Sequence, residues 1–162
     1  MATAAAEKQD WDGALAAIEE GLALGDDALK QLAWFKYNVH IEKKDFDGAY
    51  GFIEKGLKGA LKDEDGLLDA IARIMVDEQQ AARFEKKNYD LAIACSQRAC
   101  EIQKGKSPEW AYLQTQASVW SAKGDAAKAV EVQTKVVELL KGKPEAEEAT
   151  RQLDEYKKKL PR

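Results

Sequence analysis

The order of apolar and polar positions repeats along the chain. In each copy an Asp or Asn precedes an aromatic or small residue, and further small residues follow at fixed intervals. Three copies are clear and the fourth is weaker: EKQDWDGALAAIEEGLAL at 7–24, EKKDFDGAYGFIEKGLKG at 42–59, EKKNYDLAIACSQRACEI at 85–102 and SAKGDAAKAVEVQTKVVEL at 121–139. A period of about 20 to 50 residues determines the architecture of a whole chain, so this pattern takes precedence over single motifs.

Each copy predicts the end of one helix, a tight turn and the start of the next helix. The side-chain oxygen of an Asp or Asn accepts from the free backbone amides there, and the four N-cap candidates are Asp10, Asp45, Asn88 and Asp125. The small residues share one helical face and let a neighbouring helix approach closely. They are Ala14, Ala49, Ala92 and Ala129, followed by Gly21, Gly56, Ala99 and Val136.

The pattern predicts helices nearly everywhere, because Ala, Leu, Glu, Lys and Gln dominate and only three prolines occur. Ser107 is the expected N-cap of the helix that starts at Pro108. The interval between the second and third copies is about eight residues too long for the usual unit of ~34 residues, which predicts an over-long helix or an insertion near 77–84. The expected helices are Thr3–Gln9, Trp11–Leu24, Ala28–Lys43, Phe46–Leu61, Leu67–Asp77, Tyr89–Gln103, Pro108–Lys123, Ala126–Lys141 and a charged final helix within 144–160.

The pattern resembles the tetratricopeptide repeat family through the aromatic residue of the first three copies and the two small residues of all four. The resemblance covers nearly the whole chain, although the closing Pro is absent and the first-helix signature is poorly kept. It implies an all-α fold, a right-handed superhelical solenoid of antiparallel helix pairs with a C-terminal capping helix. One domain over 1–162 is expected, with units at 1–25, 26–62, 63–105 (carrying the insertion) and 106–142, and the capping helix at 144–160.

Composition and charge exclude several classes of function. The chain has 162 residues, 33% charged and 45% hydrophobic, with a net charge of −4. Such a surface disfavours nucleic acid, and no apolar run is long enough for membrane insertion. Cys95 and Cys100 lie five residues apart in one predicted helix, where they cannot easily form a disulfide. With His40 as the single histidine, the chain lacks the ligands for a zinc site.

Catalytic chemistry has no visible candidate. The carboxylates of KDEDG at 62–66 suit a solvated loop and the start of a helix, where negative charge interacts favourably with the dipole. The sequence contains no phosphate-binding glycine loop, no nucleophile elbow and no zinc-protease motif. We therefore expect neither an enzyme nor a cofactor.

The family resemblance instead implies peptide binding, because the first helix of each unit lines a concave groove. We expect Asn38 and Arg73 to hold a peptide backbone or carboxylate and Trp34 to provide an apolar anchor; the alternatives are that Trp34 packs in the core and Asn38 is only solvated. The Lys and Asn clamp that some members use for a C-terminal carboxylate is missing. The expected concave-face residues are Gln31, Trp34, Asn38, Asp69, Arg73, Gln114 and Ser118, with Phe35, Asp77 and Thr115 in the same register.

A second resemblance concerns the order of the segments, which is WDxALAxIEEGLAL, an apolar helix, the DFDxAY turn, NYDLAI and a charged last helix. This order is similar to that in the helical C-terminal regions of some bacterial thioredoxin-like proteins. Unit one has at most a stub of its first helix, which favours a piece of a longer protein over a natural short capping turn. The thioredoxin-like resemblance implies an accessory region with a periplasmic or exported location, whereas a complete chain would be cytoplasmic. The expected function is a protein-interaction module with a protein or peptide partner. The alternative is a spacer or self-association domain, including a homodimer, for an attached thioredoxin-like domain.

Overall fold

The computed structural model of the chain describes residues 10–161, and every regular element in that range is helical. The expectation of an all-α fold is thus confirmed for the described residues. The helix expected at Thr3–Gln9 lies outside them. The helices are α1 (Trp11–Leu22), α2 (Asp26–Glu42), α3 (Phe46–Leu57), α4 (Asp65–Val76), α5 (Tyr89–Gln103), α6 (Glu109–Lys123), α7 (Ala126–Leu139) and α8 (Ala146–Lys158), with a 3₁₀ helix at Glu78–Arg83.

The four predicted N-caps are confirmed. In each case the side chain accepts a hydrogen bond from the backbone amide three residues further on, at 2.9 to 3.0 Å. The acceptors are Asp10, Asp45, Asn88 and Asp125, and they start α1, α3, α5 and α7. Each cap satisfies an amide that has no partner inside its helix, which explains why these helices begin where they do.

The small residues of the repeat are buried as predicted, apart from the half-buried Gly21. Ala14, Ala49, Ala92 and Ala129 are all 0% exposed. A Cβ atom on Gly56 would lie 2.4 Å from Leu61 Cδ1, so the leucine occupies the space that a larger residue would need. These positions therefore allow close packing of neighbouring chain segments.

Most predicted helix ends lie within two residues of the observed ones, and two of the differences are described here. Helix α3 ends at Leu57 rather than at Leu61, because the chain turns back after Gly56: the Leu61 amide donates to the Gly56 carbonyl at 3.0 Å and Leu61 becomes fully buried. Helix α6 begins at Glu109 with Pro108 as its N-cap, one residue later than expected, and Ser107 does not cap it. The insertion near 77–84 forms the 3₁₀ helix.

The chain forms two compact units. Among the described residues, the first comprises 10–64 with Ala82–Lys87, and the second comprises Asp65–Ala81 with 88–161. In the first unit α1 packs on α2 and α2 on α3; in the second, α4 to α8 pack in chain order and α4 also contacts α6. Helix α8 covers the end of α7, where Ala149 packs with Val136 and Leu140. Between residues 10 and 161, no helix is both long and apolar enough to cross a lipid bilayer.

Candidate functional site

A cavity of about 390 Å³ opens between α4 and α6 in the second unit. Four of the seven predicted concave-face residues line it, and the register neighbours Asp77 and Thr115 join them. Its full lining is Asp69, Arg73, Val76, Asp77, Ala111, Gln114, Thr115 and Ser118. The structure thus brings together the predicted residues of the third and fourth repeats.

Helical spacing explains this grouping. Asp69 and Arg73 are four residues apart on α4, as are Gln114 and Ser118 on α6, and residues at that spacing share a face. The start of α4 is held by Asp65, whose Oδ2 accepts from Gln103 Nε2 at 2.6 Å and from the Tyr112 hydroxyl at 2.7 Å. Since Tyr112 belongs to α6, this bond fixes the two helices beside each other.

Asp69 is the electrostatically unusual group of the cavity. Burial raises the pKa of its carboxyl group above the ordinary 3.8, opposed by a hydrogen bond from Thr115 and by the charge of Arg73. Its Oδ1 atom is buried and accepts no hydrogen bond within the described residues. An unsatisfied buried acceptor destabilises a fold by about 1 to 3 kcal/mol, so the native packing leaves this carboxylate in an unfavourable state.

Two further side chains in the cavity are available for a ligand. Within residues 10–161 neither the guanidinium of Arg73 nor the side-chain amide of Gln114 makes a hydrogen bond. Ser118, by contrast, is engaged: its hydroxyl lies 3.0 Å from the Gln114 carbonyl and 3.1 Å from the buried Tyr156 hydroxyl. The cavity therefore offers a cationic donor, an amide and a carboxylate.

The other three predicted residues, Gln31, Trp34 and Asn38, lie on α2 in the first unit. Gln31 is exposed. The half-buried Trp34 stacks on Tyr37, with ring centroids 6.2 Å apart and an interplanar angle of 28°. Tyr37 is itself fully buried, so Trp34 contributes to packing, which was the alternative interpretation of this residue.

Asn38 makes two side-chain hydrogen bonds within the chain. Its Nδ2 donates to the Trp34 carbonyl at 2.8 Å, and its Oδ1 accepts from the guanidinium of Arg83 at 2.8 Å. Both ends of the amide thus already have partners within the chain. Arg83 also contacts Glu42, with Nε 2.8 Å from Oε1.

Sequence reasoning missed Arg83 and Glu42. Two signals pointed to them: Glu42 follows Asn38 by four residues, and Arg83 is the sole basic residue in the insertion at 77–84. The repeat gave no register for the insertion, so the pairing of positions 45 residues apart was not foreseeable from periodicity.

Burial of the two cysteines disfavours ionisation of their thiols. Cys95 is buried and Cys100 half-buried, and both are free. Burial raises the pKa of each thiol to about 12, with nearby carboxylates adding to the effect at Cys100. A thiol with so high a pKa is protonated at neutral pH and is a poor nucleophile.

No protein-family model, curated protein or solved structure matches the chain. The tetratricopeptide and thioredoxin-like resemblances therefore rest on the residues of the repeat alone.

Proposed function

We propose that the chain is a tetratricopeptide-type solenoid that binds a partner polypeptide, with the α4–α6 cavity as part of its concave groove. The observation that carries this proposal is the set of unsatisfied polar groups in the cavity: Asp69 Oδ1 is buried without a donor, and Arg73 and Gln114 make no hydrogen bond within the described part of the chain. A partner segment supplies what is missing, since a peptide backbone offers both acceptors for Arg73 and donors for Asp69.

Binding accounts for these residues better than catalysis. The cavity has no activated nucleophile, and the thiols of Cys95 and Cys100, whose pKa is about 12, remain protonated at neutral pH. A guanidinium, an amide and a partly buried carboxylate in one cavity suit binding, because charged and amide groups fix the orientation of a bound segment.

A random-peptide display selection on the wild-type chain tests the proposal. Selected peptides should lose affinity by about tenfold or more in the Arg73→Ala variant, since a hydrogen bond to a charged group contributes about 1.5 to 3 kcal/mol. Gln114→Ala should weaken the same peptides. Arg151→Ala is the matched control: it removes the same charge from an exposed position on α8 and should leave binding unchanged. Peptides that bind all variants equally would rule out the cavity as the binding site.

The alternative is a spacer or self-association domain for an attached thioredoxin-like domain, and one observation favours it. Leu24, at the end of α1, is 84% exposed, and exposed apolar residues favour association. Light scattering over a range of concentrations tests this: a dimer that Leu24→Asp dissociates supports self-association. A strict monomer at high concentration removes it.

A further inference from the structure

Asn38 and Glu42 both contact the guanidinium of Arg83 at the C-terminal end of α2. Its NH2 atom donates to Asn38 Oδ1 at 2.8 Å and its Nε donates to Glu42 Oε1 at 2.8 Å. The ion pair between the Arg83 and Glu42 side chains has a closest distance of 2.7 Å. A carboxylate and an amide oxygen thus share one planar cation, a geometry that arginine fits and lysine does not.

The helix itself builds this site. Asn38 and Glu42 are four residues apart, so their side chains project from the same face of α2. The Asn38 Nδ2 atom is committed to the Trp34 carbonyl at 2.8 Å, which turns the Oδ1 atom of the amide outward. The two groups therefore present acceptors only, as a guanidinium site requires.

Both side chains of the ion pair reach solvent. The Arg83 side chain is 27% exposed and that of Glu42 is 43% exposed, and ion pairs in water contribute little. The backbone after Arg83 is anchored separately, because Phe84 is buried and the Tyr50 hydroxyl donates to the Lys86 carbonyl. The position of this segment therefore does not depend on the guanidinium contact alone.

The same face of α2 continues, exposed, toward the start of the helix. Gln31 and Phe35 precede Asn38 and Glu42 at alternating intervals of four and three residues, so the four side chains form one stripe. Gln31 is exposed and Phe35 is 50% exposed. A polypeptide along this stripe would cover the Phe35 ring and then meet the acceptor pair.

The geometry points to a guanidinium-binding site on α2, formed by Asn38 and Glu42, that Arg83 fills in cis and that an arginine side chain of a partner polypeptide takes over. Because Arg83 belongs to the same chain, it is present at a high effective concentration. A partner arginine therefore binds only if its affinity for the site is high enough to displace Arg83. The site lies in the first unit and is independent of the function proposed for the α4–α6 cavity.

Ethylguanidinium, which carries the head group of arginine, is the probe. We expect Arg83→Ala to bind it with shifts of the Asn38 side-chain amide resonances in ¹⁵N NMR spectra, titrated to about 100 mM because an exposed ion pair supports only weak binding. The wild-type chain should bind at least about tenfold more weakly, since its own arginine competes. The double variant Arg83→Ala, Glu42→Gln should lose the response.

Three comparisons make the result decisive. N-ethylurea has nearly the same shape without the charge and should not bind. Lys86→Ala removes a neighbouring cation that pairs with Asp47 and should behave as wild type. The fold of each variant is checked by the dispersion of its backbone amide resonances. The inference is overturned if folded Arg83→Ala shows no response, if wild type responds equally, or if N-ethylurea binds as well as the cation.

Discussion

At the scale of single residues, Asp69 combines a position in the α4–α6 cavity with an unfavourable environment. Its pKa is raised by burial, and a raised carboxyl pKa means that the folded state resists ionisation. Below the ordinary pKa of 3.8 both the folded and the unfolded chain carry the protonated form, so nothing is lost. As the pH rises through the folded-state pKa, the unfolded chain ionises more readily and stability falls.

Asp69→Asn should therefore stabilise the chain near neutral pH, by about 1 kcal/mol, because the neutral amide avoids the burial of a charge. The gain should disappear below about pH 3.8, where the wild-type carboxyl group is neutral as well. Urea unfolding as a function of pH measures the difference. Asp154→Asn, at an exposed residue paired with Lys157, should change stability by less than about 0.5 kcal/mol. A loss of stability in Asp69→Asn near pH 7 would contradict the argument.

Two glycines on α3 allow the effect of helix propensity to be measured separately from the effect of side-chain packing. A Cβ atom on Gly51 meets nothing within 4 Å, whereas one on Gly56 lies 2.4 Å from the fully buried Leu61. Gly51→Ala should raise the free energy of unfolding by about 0.5 to 1 kcal/mol, because alanine loses less backbone entropy in a helix. Gly56→Ala should lower it by about 1 to 3 kcal/mol through overpacking. Equal effects in thermal or urea unfolding would show that Gly56 is not needed for close packing.

At the scale of helices, the N-caps determine where four of the helices begin. Asp45 accepts from the Gly48 amide at 3.0 Å and contacts His40 Nδ1 at 2.8 Å. The Gly48 amide, and then the hydrogen bond with His40, lowers the pKa of Asp45 below 3.8. A lowered carboxyl pKa contributes stability above the ordinary value, and that contribution is lost as the pH falls through the folded-state pKa.

Asp45→Ala should destabilise the chain by about 1 kcal/mol or more at neutral pH, because it leaves the start of α3 without its cap. The difference from wild type should shrink at pH values below 3.8, where the wild-type carboxyl group becomes protonated. Asp45→Asn is the control, since asparagine caps a helix nearly as well and does not titrate. Urea unfolding at several pH values tests both variants, and a pH-independent loss in Asp45→Ala would exclude the charged cap as its cause.

The helices and their caps were predictable because they depend on residues within four positions of one another. Asp125 and Lys128, or Asn88 and Leu91, are such pairs. The helix spacing likewise placed Asp69 and Arg73 on one face of α4. The engagement of Asn38 was not predictable, because Arg83 comes from an insertion outside the repeat register. The end of α3 was also missed, since it depends on how Leu61 packs against Gly56.

At the scale of the whole molecule, helix α8 covers apolar residues at the end of α7. Val136 and Leu140 on and after α7 are almost fully buried, and Ala149 of α8 packs with them. Gln133 Nε2 donates to the Ala149 carbonyl at 3.0 Å in the same buried region. Leu153 and Tyr156 are buried as well. The charged face of α8 is left to solvent, as expected of a helix that caps a repeat array.

Ending the chain after Lys143 removes α8 and should expose Val136 and Leu140 to water. We expect a loss of about 3 kcal/mol or more in the free energy of unfolding, comparable to the removal of large buried side chains, together with self-association through the uncovered apolar surface. Urea unfolding and light scattering measure the two effects. Ending the chain after Lys159 is the control, because α8 itself ends at Lys158. If the shorter chain kept the wild-type unfolding midpoint and stayed monomeric, α8 would be an appendage and not a cap, because burial of the α7 face would then contribute nothing measurable.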